Sequence, residues 1–161
     1  MTETCNVRIA KQSEFGQIAS MFSRILSNLP YYNSLAKENE RVKYTSEKLA
    51  EKQTLDKFSI LVALNKSERI VGFCFSHFDD FTIWLDWFGV EPSEREKGVG
   101  TAMVQTLLET ATERHAHKIW CDTRSSNEPS KSLLRKLGFK EIAEVKNHWY
   151  RQDFILWERF V

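Results

Sequence analysis

Several features that mark other protein classes are scarce in this sequence of 161 residues. Its three cysteines, Cys5, Cys74 and Cys121, are far apart and odd in number, which excludes a disulfide framework or a zinc site and favours a reducing cytoplasm. No run of about 18 apolar residues occurs, so no membrane-spanning helix is expected. Residues 1–10 have no basic flank before an apolar stretch, so we expect no signal peptide.

An excess of either charge is also missing. The chain has 23 Lys and Arg against 22 Asp and Glu, a formal net charge of +1. Proteins that bind nucleic acid need surplus basic residues to neutralise phosphates, so we expect no nucleic-acid partner, and the lack of an apolar span argues against a membrane partner. With 42% hydrophobic and 28% charged residues, the composition predicts one globular domain over residues 1–161.

In the first third of the chain, the hydrophobic pattern is clear only up to residue 30. A strand is predicted at 6–10, followed by a helix that Ser13 caps and Pro30 ends. The stretch 31–57 is polar and weakly helical, and three of its apolar residues fall on one predicted face: Leu35, Val42 and Leu49.

From residue 58 onward the pattern predicts alternating strands and helices. The strands are at 58–64, 70–78, 82–90, 118–123, 139–144 and 154–160, and the helices run from Gly98 to about His115 and from Pro129 to Gly138. Polar residues 65–68 predict a hairpin between the first two of these strands. The strand–helix–strand unit over 82–123 requires a parallel pair, so the whole pattern predicts an α/β fold with a mixed sheet.

A strand-to-helix turn at 90–101 predicts an anion-binding site. The strand ends at Val90, and Gly98 and Gly100 then open a helix. The first turn of a helix has N–H groups without internal partners and carries a partial positive charge, and glycine lets a phosphate approach the backbone. Arg95 and Lys97 add positive charge beside this turn.

Two common phosphate-binding motifs do not fit this turn. A Walker loop has its lysine after the second glycine, whereas Lys97 precedes Gly98. A dinucleotide fingerprint needs a third glycine where this sequence has Met103. Neither a nucleoside triphosphate nor a dinucleotide is therefore the expected ligand.

What remains is an Arg-x-x-Gly-x-Gly pattern at 95–100, which resembles the acyl-CoA signature of the GNAT superfamily of N-acetyltransferases. A second segment has Asn127, then Ser130 three residues later, a leucine, and a closing Lys-x-Gly-Phe that ends at Phe139, and it resembles that family's second signature. Together the motifs cover most of the chain from Phe58. The resemblance implies a twisted mixed sheet of about seven strands flanked by helices and splayed between the fourth and fifth strands.

The resemblance also implies that acetyl-CoA is the co-substrate and that its pantetheine arm lies between the splayed strands. The residues matched to this role are Phe88, Gly89, Val90, Arg95, Glu96, Lys97, Gly98, Val99, Gly100, Thr101, Asn127 and Ser130. Gly89 is expected at a β-bulge, where the backbone has to come close to the ligand.

The catalytic residues are harder to match. Many family members carry a tyrosine that protonates the departing thiolate, and this chain has Leu134 there, so Tyr150, His148 or water would have to act instead. An amine of pKa near 10.4 is mostly protonated at neutral pH, so a base is needed. Asp86, which alternates with Phe88 along its strand, is the expected base; a structural carboxylate paired with arginine or backbone is the alternative.

Candidates for the acceptor site lie outside the two motifs. Tyr31 and Tyr32 follow the first helix and Trp87 lies beside Asp86, and each could line a pocket or simply pack. His115 and His117 have no third ligand nearby, so no metal is expected.

These observations lead to one main hypothesis and two alternatives. The main one is an acyl-CoA-dependent N-acetyltransferase that acetylates a primary amine of a small molecule or peptide directly, without a covalent enzyme intermediate. The alternatives are a non-catalytic acyl-CoA-binding or sensing module and a protein or peptide N-acetyltransferase. The identity of the acceptor amine and the existence of a homodimer are left open.

Overall fold

A single seven-stranded sheet forms the centre of the molecule. The computed structural model describes residues 5–161; residues 1–4, part of the segment in which no signal peptide is expected, lie outside them. The strands are β1 (Asn6–Ile9), β2 (Ile60–Leu64), β3 (Ile70–Asp79), β4 (Thr82–Val90), β5 (Lys118–Arg124), β6 (Lys140–Val145) and β7 (Phe154–Phe160). They lie in the order β1-β2-β3-β4-β5-β7-β6. Only β4 and β5 are parallel among these neighbours, which confirms the predicted mixed sheet.

Helices cover both faces of the sheet. They are α1 (Phe15–Ser27), α2 (Ser34–Arg41), α3 (Ser46–Leu55), α4 (Val99–Glu113) and α5 (Glu128–Lys136). The connection between parallel strands has to cross over the sheet, and α4 makes that crossover from β4 to β5. None of the helices in the described part of the chain is both long and apolar enough to cross a bilayer.

Each face of the sheet has its own buried core. One core, on the side of α4 and α5, includes Leu85, Met103, Leu107, Ile119, Leu134 and Trp157. The other, on the side of α1 and α3, includes Phe15, Phe22, Leu49, Ile60, Phe73 and Phe75. Because successive residues of a strand point to opposite faces, these two cores tell us which face each strand residue occupies.

The hairpin predicted between β2 and β3 is confirmed. Its turn is stabilised by the side chain of Asn65, whose Oδ1 accepts hydrogen bonds from the backbone N–H groups of Ser67 and Arg69, both at 3.0 Å. Asn is favoured in such turns because its side chain can take the place of a backbone acceptor.

Two expectations for the first third of the chain are wrong. Ser13 lies inside a short 3₁₀ turn, Gln12–Glu14, so α1 begins at Phe15 without a Ser13 cap. The stretch 31–57 forms two helices, and this separates the residues expected on one face: Leu49 of α3 is fully buried, whereas Leu35 is 44% and Val42 66% exposed. A shared face requires one continuous helix, and none runs through this stretch.

Candidate functional site

The two parallel strands separate part of the way along their length. β4 and β5 pair only over Thr82–Trp84 and Lys118–Trp120. The last pair of residues packs edge to face, with the ring centroids of Trp84 and Trp120 4.6 Å apart. We call the opening between the strands beyond these two tryptophans the fork. The predicted splay between the fourth and fifth strands is present in the structure.

A β-bulge lies at the start of the fork. In the ladder with β3, Phe75 pairs with Trp87 and Ser76 with Leu85, so the intervening Asp86 has no partner residue. The bulge interrupts the alternation of the strand, and the Asp86 carboxylate meets Lys52 of α3 on the sheet face opposite α4. The prediction that Asp86 shares a face with Phe88 is therefore wrong, because Phe88 packs on the α4 side.

Gly89 has a different role from the one expected. It pairs regularly with Phe73 and does not form the bulge. A Cβ at this position would lie 2.5 Å from the Phe73 ring, closer than such atoms approach one another. Packing against a buried aromatic side chain therefore requires glycine here.

A large cavity of about 730 Å³ occupies the fork and extends to the start of α4. This volume is in the range of pockets that hold whole ligands or cofactors. Its wall includes every residue expected to contact the donor except Lys97: Phe88, Gly89, Val90, Arg95, Glu96, Gly98, Val99, Gly100, Thr101, Asn127 and Ser130. The expected acceptor residues Tyr31, Tyr32 and Trp87 also line it.

The turn before α4 has the geometry of an anion site. Gly98 has a left-handed backbone (φ +83°) and caps the helix, so the N–H groups of the first turn have no helical acceptors. Arg95 lines the cavity and donates from Nε to the Val90 carbonyl at 3.2 Å. Lys97 does not line the cavity and instead points to Glu94, with Nζ 3.1 Å from its carboxylate, so a contact of Lys97 with the donor stays a prediction.

The second motif forms the start of α5. Asn127 caps this helix by accepting from the Ser130 N–H at 3.3 Å, and both residues border the large cavity. A Cβ at Gly100 would lie 3.0 Å from Leu133, so this glycine allows α4 and α5 to pack closely. Leu134 is fully buried in the α4-side core.

A small cavity of about 250 Å³ adjoins the large one at the fork. The two share five wall residues: Tyr32, Asp86, Trp87, Asp122 and Arg124. The rest of the small cavity is formed by Glu40, Lys43, Tyr44, Trp84, Trp149, Tyr150 and Phe154. Two ligands could therefore enter from different sides and meet at the shared wall.

Asp86 is held by two partners. Its Oδ2 accepts from Lys52 Nζ at 2.8 Å and its Oδ1 lies 2.9 Å from His77 Nδ1. Burial alone would raise the pKa of Asp86, but the His77 hydrogen bond and the Lys52 charge outweigh burial and lower it. The carboxylate is therefore ionised and strongly stabilised as an anion.

Asp122, on β5, has a contrasting environment. No ion pair to it occurs within residues 5–161, and burial raises its pKa to about 6, against the lowering effect of the Arg124 charge. The negative charges of Glu40 and Asp86 raise it further. A carboxylate with a pKa near neutrality can both accept and release a proton under physiological conditions.

The Tyr150 hydroxyl is hydrogen-bonded to a carboxylate of α2. Its hydroxyl donates to Glu40 Oε1 at 2.5 Å and accepts from Lys43 Nζ at 3.0 Å. Burial and the Glu40 bond raise the pKa of Tyr150. The other Glu40 oxygen accepts from Trp87 Nε1 at 3.1 Å. Tyr150 lines the small cavity and not the large one, so it lies on the side away from the α4 turn.

Tyr32 forms part of a stack at the shared wall. Its ring packs on Trp87 with centroids 4.9 Å apart, and the Arg124 guanidinium carbon lies 3.4 Å from the Tyr32 centroid. On its other side, Arg124 lies 4.6 Å from the Phe154 ring centroid. The arginine is thus enclosed between two aromatic rings.

Two hydrogen bonds join segments from opposite ends of the chain over the small cavity. Asn33 Nδ2 donates to the Tyr150 carbonyl and Gln152 Nε2 donates to the Tyr31 carbonyl, both at 2.8 Å. We call this pair of bonds the strap. It connects the segment between α1 and α2 with the segment between β6 and β7, from which Tyr32 and Tyr150 contribute to the small cavity.

Sequence reasoning missed Glu40, Asp122 and Arg124. A signal for the two β5 residues was present, because Asp122 and Arg124 continue the face of Trp120 at a period of two residues. No comparable signal identified Glu40, since α2 has a polar sequence and reaches the site only through tertiary packing.

Nucleophilic and metal chemistry find little support in the site. Cys121 lines the large cavity, but burial raises the pKa of its thiol well above the usual value, which disfavours a reactive thiolate. Within residues 5–161, no group of three or more His, Cys, Asp or Glu side chains is arranged to hold a metal ion.

Comparisons with known proteins were consistent with this geometry. The sequence profile of the acetyltransferase (GNAT) family matches residues 26–139. An N-alpha-acetyltransferase of Sulfurisphaera tokodaii is 39% identical over 57 residues, which are 35% of this chain and 34% of that protein. The ribosomal protein bS18-alanine N-acetyltransferase of Escherichia coli is 29% identical over 64 residues, 40% of this chain and 43% of that protein. The matched segments thus span less than half of either relative.

Among solved structures, a phosphinothricin acetyltransferase from Sinorhizobium meliloti, crystallised with acetyl-CoA, has a similar fold. The TM-score is 0.80 at 19% identity, and the alignment covers 98% of this chain and 89% of that one. At this level of identity the similarity concerns the fold.

Proposed function

Because the chain belongs to the acetyltransferase (GNAT) family, we propose that it is an enzyme that transfers an acetyl group from acetyl-CoA directly to a primary amine. The observation that carries this proposal is the fork: one cavity joins separated strands to an anion-binding helix start, and a second cavity meets it at Asp122. The first suits a long donor with a diphosphate, and the second suits an acceptor.

In this proposal the donor is held largely by main-chain groups. The pyrophosphate of acetyl-CoA binds at the first turn of α4, where Gly98 leaves N–H groups available, and Arg95 adds charge beside it. The pantetheine arm lies in the fork along residues 88–90, because β5 does not pair with β4 there. Asn127 and Ser130 border the same arm.

The chemical step is an aminolysis of the thioester. The amine nitrogen attacks the acetyl carbonyl carbon and forms a C–N bond, the C–S bond breaks, and the electron pair leaves with sulfur. The nitrogen loses a proton to a base of the enzyme, and the thiolate later takes up a proton. The products are the N-acetylated amine and CoA with a free thiol.

We assign the base to Asp122, with Asp86, the expected base, as the competing assignment. A general base works best with a pKa near the operating pH, and Asp122 has a pKa of about 6 and no ion pair in the described chain. Both oxygens of Asp86 are occupied by Lys52 and His77, which lower its pKa and its tendency to take a proton. In this assignment Asp86 is a wall residue of the fork and does not accept the proton of the amine.

Departure of the thiolate needs no enzymatic acid in this proposal. A free thiol has a pKa of about 8.5, so its thiolate is a tolerable leaving group that water can protonate. Leu134 is buried and the Tyr150 hydroxyl is bound to Glu40 in the small cavity. We therefore reassign Tyr150 from proton donor to wall of the acceptor site, and propose no covalent enzyme intermediate.

The relatives favour a second acceptor class. One is named as an N-alpha-acetyltransferase and the other as an N-acetyltransferase of an alanine of ribosomal protein bS18, so a peptide N-terminus is the alternative to a small-molecule amine here. The donor site would be the same in either case, and the two differ only in what enters the small cavity. Action in the cytoplasm is also part of the proposal, supported by the three free cysteines.

The experiment that tests the proposed function follows both products. Purified protein is mixed with acetyl-CoA and a panel of amines, thiol release is recorded, and mass spectrometry identifies the acetylated amine. We expect equal amounts of thiol and N-acetyl product, and no acetylated protein in rapid-quench samples with acetyl-CoA alone. Binding of acetyl-CoA without thiol release from any amine would favour the non-catalytic module instead.

A further inference from the structure

Three of the five charged side chains in the wall of the small cavity are in ion pairs. Glu40 pairs with Lys43, with Nζ to Oε1 at 2.7 Å, and Asp86 pairs with Lys52 at 2.8 Å. Of the charged residues in this wall, Asp122 and Arg124 are the ones without an ion pair in the described chain. One charged group of each sign is thus without a direct partner and available to contact a ligand.

Burial of the Arg124 guanidinium without hydrogen-bond partners costs free energy. The residue is only 6% exposed, and its Nε and Nη2 are buried without a hydrogen-bond partner. Stacking on Tyr32 and Phe154 stabilises the guanidinium faces but leaves its edge unsatisfied. Buried charges are normally paired or bound to a ligand, and Arg124 borders both cavities.

We propose that Arg124 binds a carboxylate of the acceptor, and that the acceptor is a small molecule with its amine close to that carboxylate, as in an α-amino acid. This inference rests on the proposed function and names its substrate class. Asp122 and Arg124 are two residues apart on one face of β5, about 7 Å along the strand. The amine lies at Asp122 and the carboxylate at the Arg124 edge, whose parallel N–H groups suit two carboxylate oxygens.

The size of the site agrees with a small acceptor. The small cavity, about 250 Å³, is below the range of drug-sized pockets. The strap ties the segment between α1 and α2, which supplies Tyr32 to this wall, to the segment that supplies Tyr150. Aromatic walls from Tyr44 and Trp84 leave space for an uncharged side chain.

Charge distinguishes this acceptor from the two obvious competitors. A peptide N-terminus presents a neutral carbonyl where an amino acid presents a carboxylate, so it would leave the Arg124 charge uncompensated. A polyamine would place a second cation near Arg124. A zwitterion matches the single unpaired charge of each sign, Asp122 and Arg124.

The test compares acceptors that differ only in the carboxylate. Each common α-amino acid, its amide, its decarboxylated amine and a dipeptide that begins with it are assayed with acetyl-CoA. For the preferred side chain we expect kcat/KM for the amino acid to exceed that for the amide by about tenfold to a hundredfold, the range of a charge-assisted hydrogen bond. Arg124→Gln should reduce this ratio to near one, mainly through KM, and Arg124→Lys should restore part of it.

Two controls separate a specific role of Arg124 from loss of folding. Thermal unfolding and the Kd for CoA are measured for each variant, and Lys48→Gln, which removes a paired cation that lines neither cavity, should leave the acid-to-amide ratio unchanged. Calorimetric titration of amino acids into the CoA-bound protein gives a readout that does not depend on acetyl transfer. Failure of the proposed reaction can therefore be distinguished from failure of amino-acid binding.

Three results would overturn the proposal. The first is an amide or dipeptide that matches the amino acid in the wild type. The second is an acid-to-amide ratio that survives Arg124→Gln or collapses in Lys48→Gln. The third is a calorimetric titration in which the protein is saturated with CoA and none of the amino acids binds.

Discussion

The two cavities that meet at the fork are built in different ways. The wall of the large cavity comes mostly from two continuous segments, the end of β4 with the start of α4, and the end of β5 with the start of α5. The small cavity is closed by contacts between residues more than 100 positions apart, such as Glu40 with Tyr150 and Tyr31 with Gln152. Local chain geometry makes the first site, and tertiary packing makes the second.

The two sites also differ in the groups they offer. The large cavity presents main-chain N–H groups at Gly98 and along β4, which many sequences could supply. The small cavity presents side chains: Glu40, Asp122 and Arg124. Substitutions can therefore alter acceptor specificity while donor binding persists, and the variants below separate the two.

The largest effect is expected for Asp122→Asn. Loss of the general base should lower kcat by about a hundredfold or more, because such groups contribute factors of this size. The Kd for acetyl-CoA should stay unchanged. Asp86→Asn is the matched control: it should remove about 1–3 kcal/mol of stability by leaving Lys52 without its partner, with a smaller loss of kcat. The reverse order of the two kcat losses would return the base to Asp86.

The pH dependence of kcat should reveal the same carboxylate. Asp122 acts as a base only when ionised, and burial raises its pKa to about 6, so kcat at saturating acceptor should rise with pH up to that value and fall about tenfold per unit below it. Asp122→Asn should lose this inflection. The pKa of Asp86 is lowered by His77 and Lys52, so Asp86 stays ionised across this range, and an inflection that persists in Asp122→Asn would assign it to another group.

A smaller effect is expected from removal of the strap donors. Asn33→Asp with Gln152→Glu keeps both side-chain shapes and the α2 cap that Asn33 provides, but removes the two donated bonds. KM for the acceptor should rise about tenfold, as expected for one or two hydrogen bonds, while the Kd for CoA is unchanged. Asn39→Asp on the outer side of α2 is the control and should change neither constant.

The smallest effect concerns the two cations beside the α4 turn. Arg95→Gln should weaken CoA binding by about two- to fivefold, the size of an exposed charge near a helix start, and the difference should shrink at high salt. Lys97→Gln should have no effect, because Lys97 does not line the large cavity and its charge is paired with Glu94. Equal losses in the two variants would show that long-range charge, not contact, is responsible. Calorimetry at two salt concentrations measures both.

The same difference between the cavities explains what could be predicted. The turn at 90–101 and the start of α5 were predicted from sequence because glycine spacing, a helix cap and a strand end are local signals. The pairing of Lys97 with Glu94 was not anticipated, because spacing alone does not show that Glu94 competes for its charge.

The acceptor side was beyond sequence reasoning for physical reasons. A single unpaired residue in a ladder turned Asp86 to the other face, and period-two alternation cannot anticipate a bulge. The stack of Tyr32 on Trp87 and Arg124 joins three distant segments, and its partners become neighbours only when the segment between α1 and α2 packs against β4 and β5.

The most direct test of the fork as the donor site is an NMR titration of the protein with acetyl-CoA, followed through the backbone amide resonances. Saturable shifts should be largest for the amides at the start of α4, Gly98 to Thr101, and along the open edge of β4 at Phe88 to Val90. The amide resonances of β1 and β2, at one edge of the sheet away from the fork, should not shift. Absence of saturable shifts, or shifts confined to residues away from the fork, would contradict the assignment of this opening as the donor site.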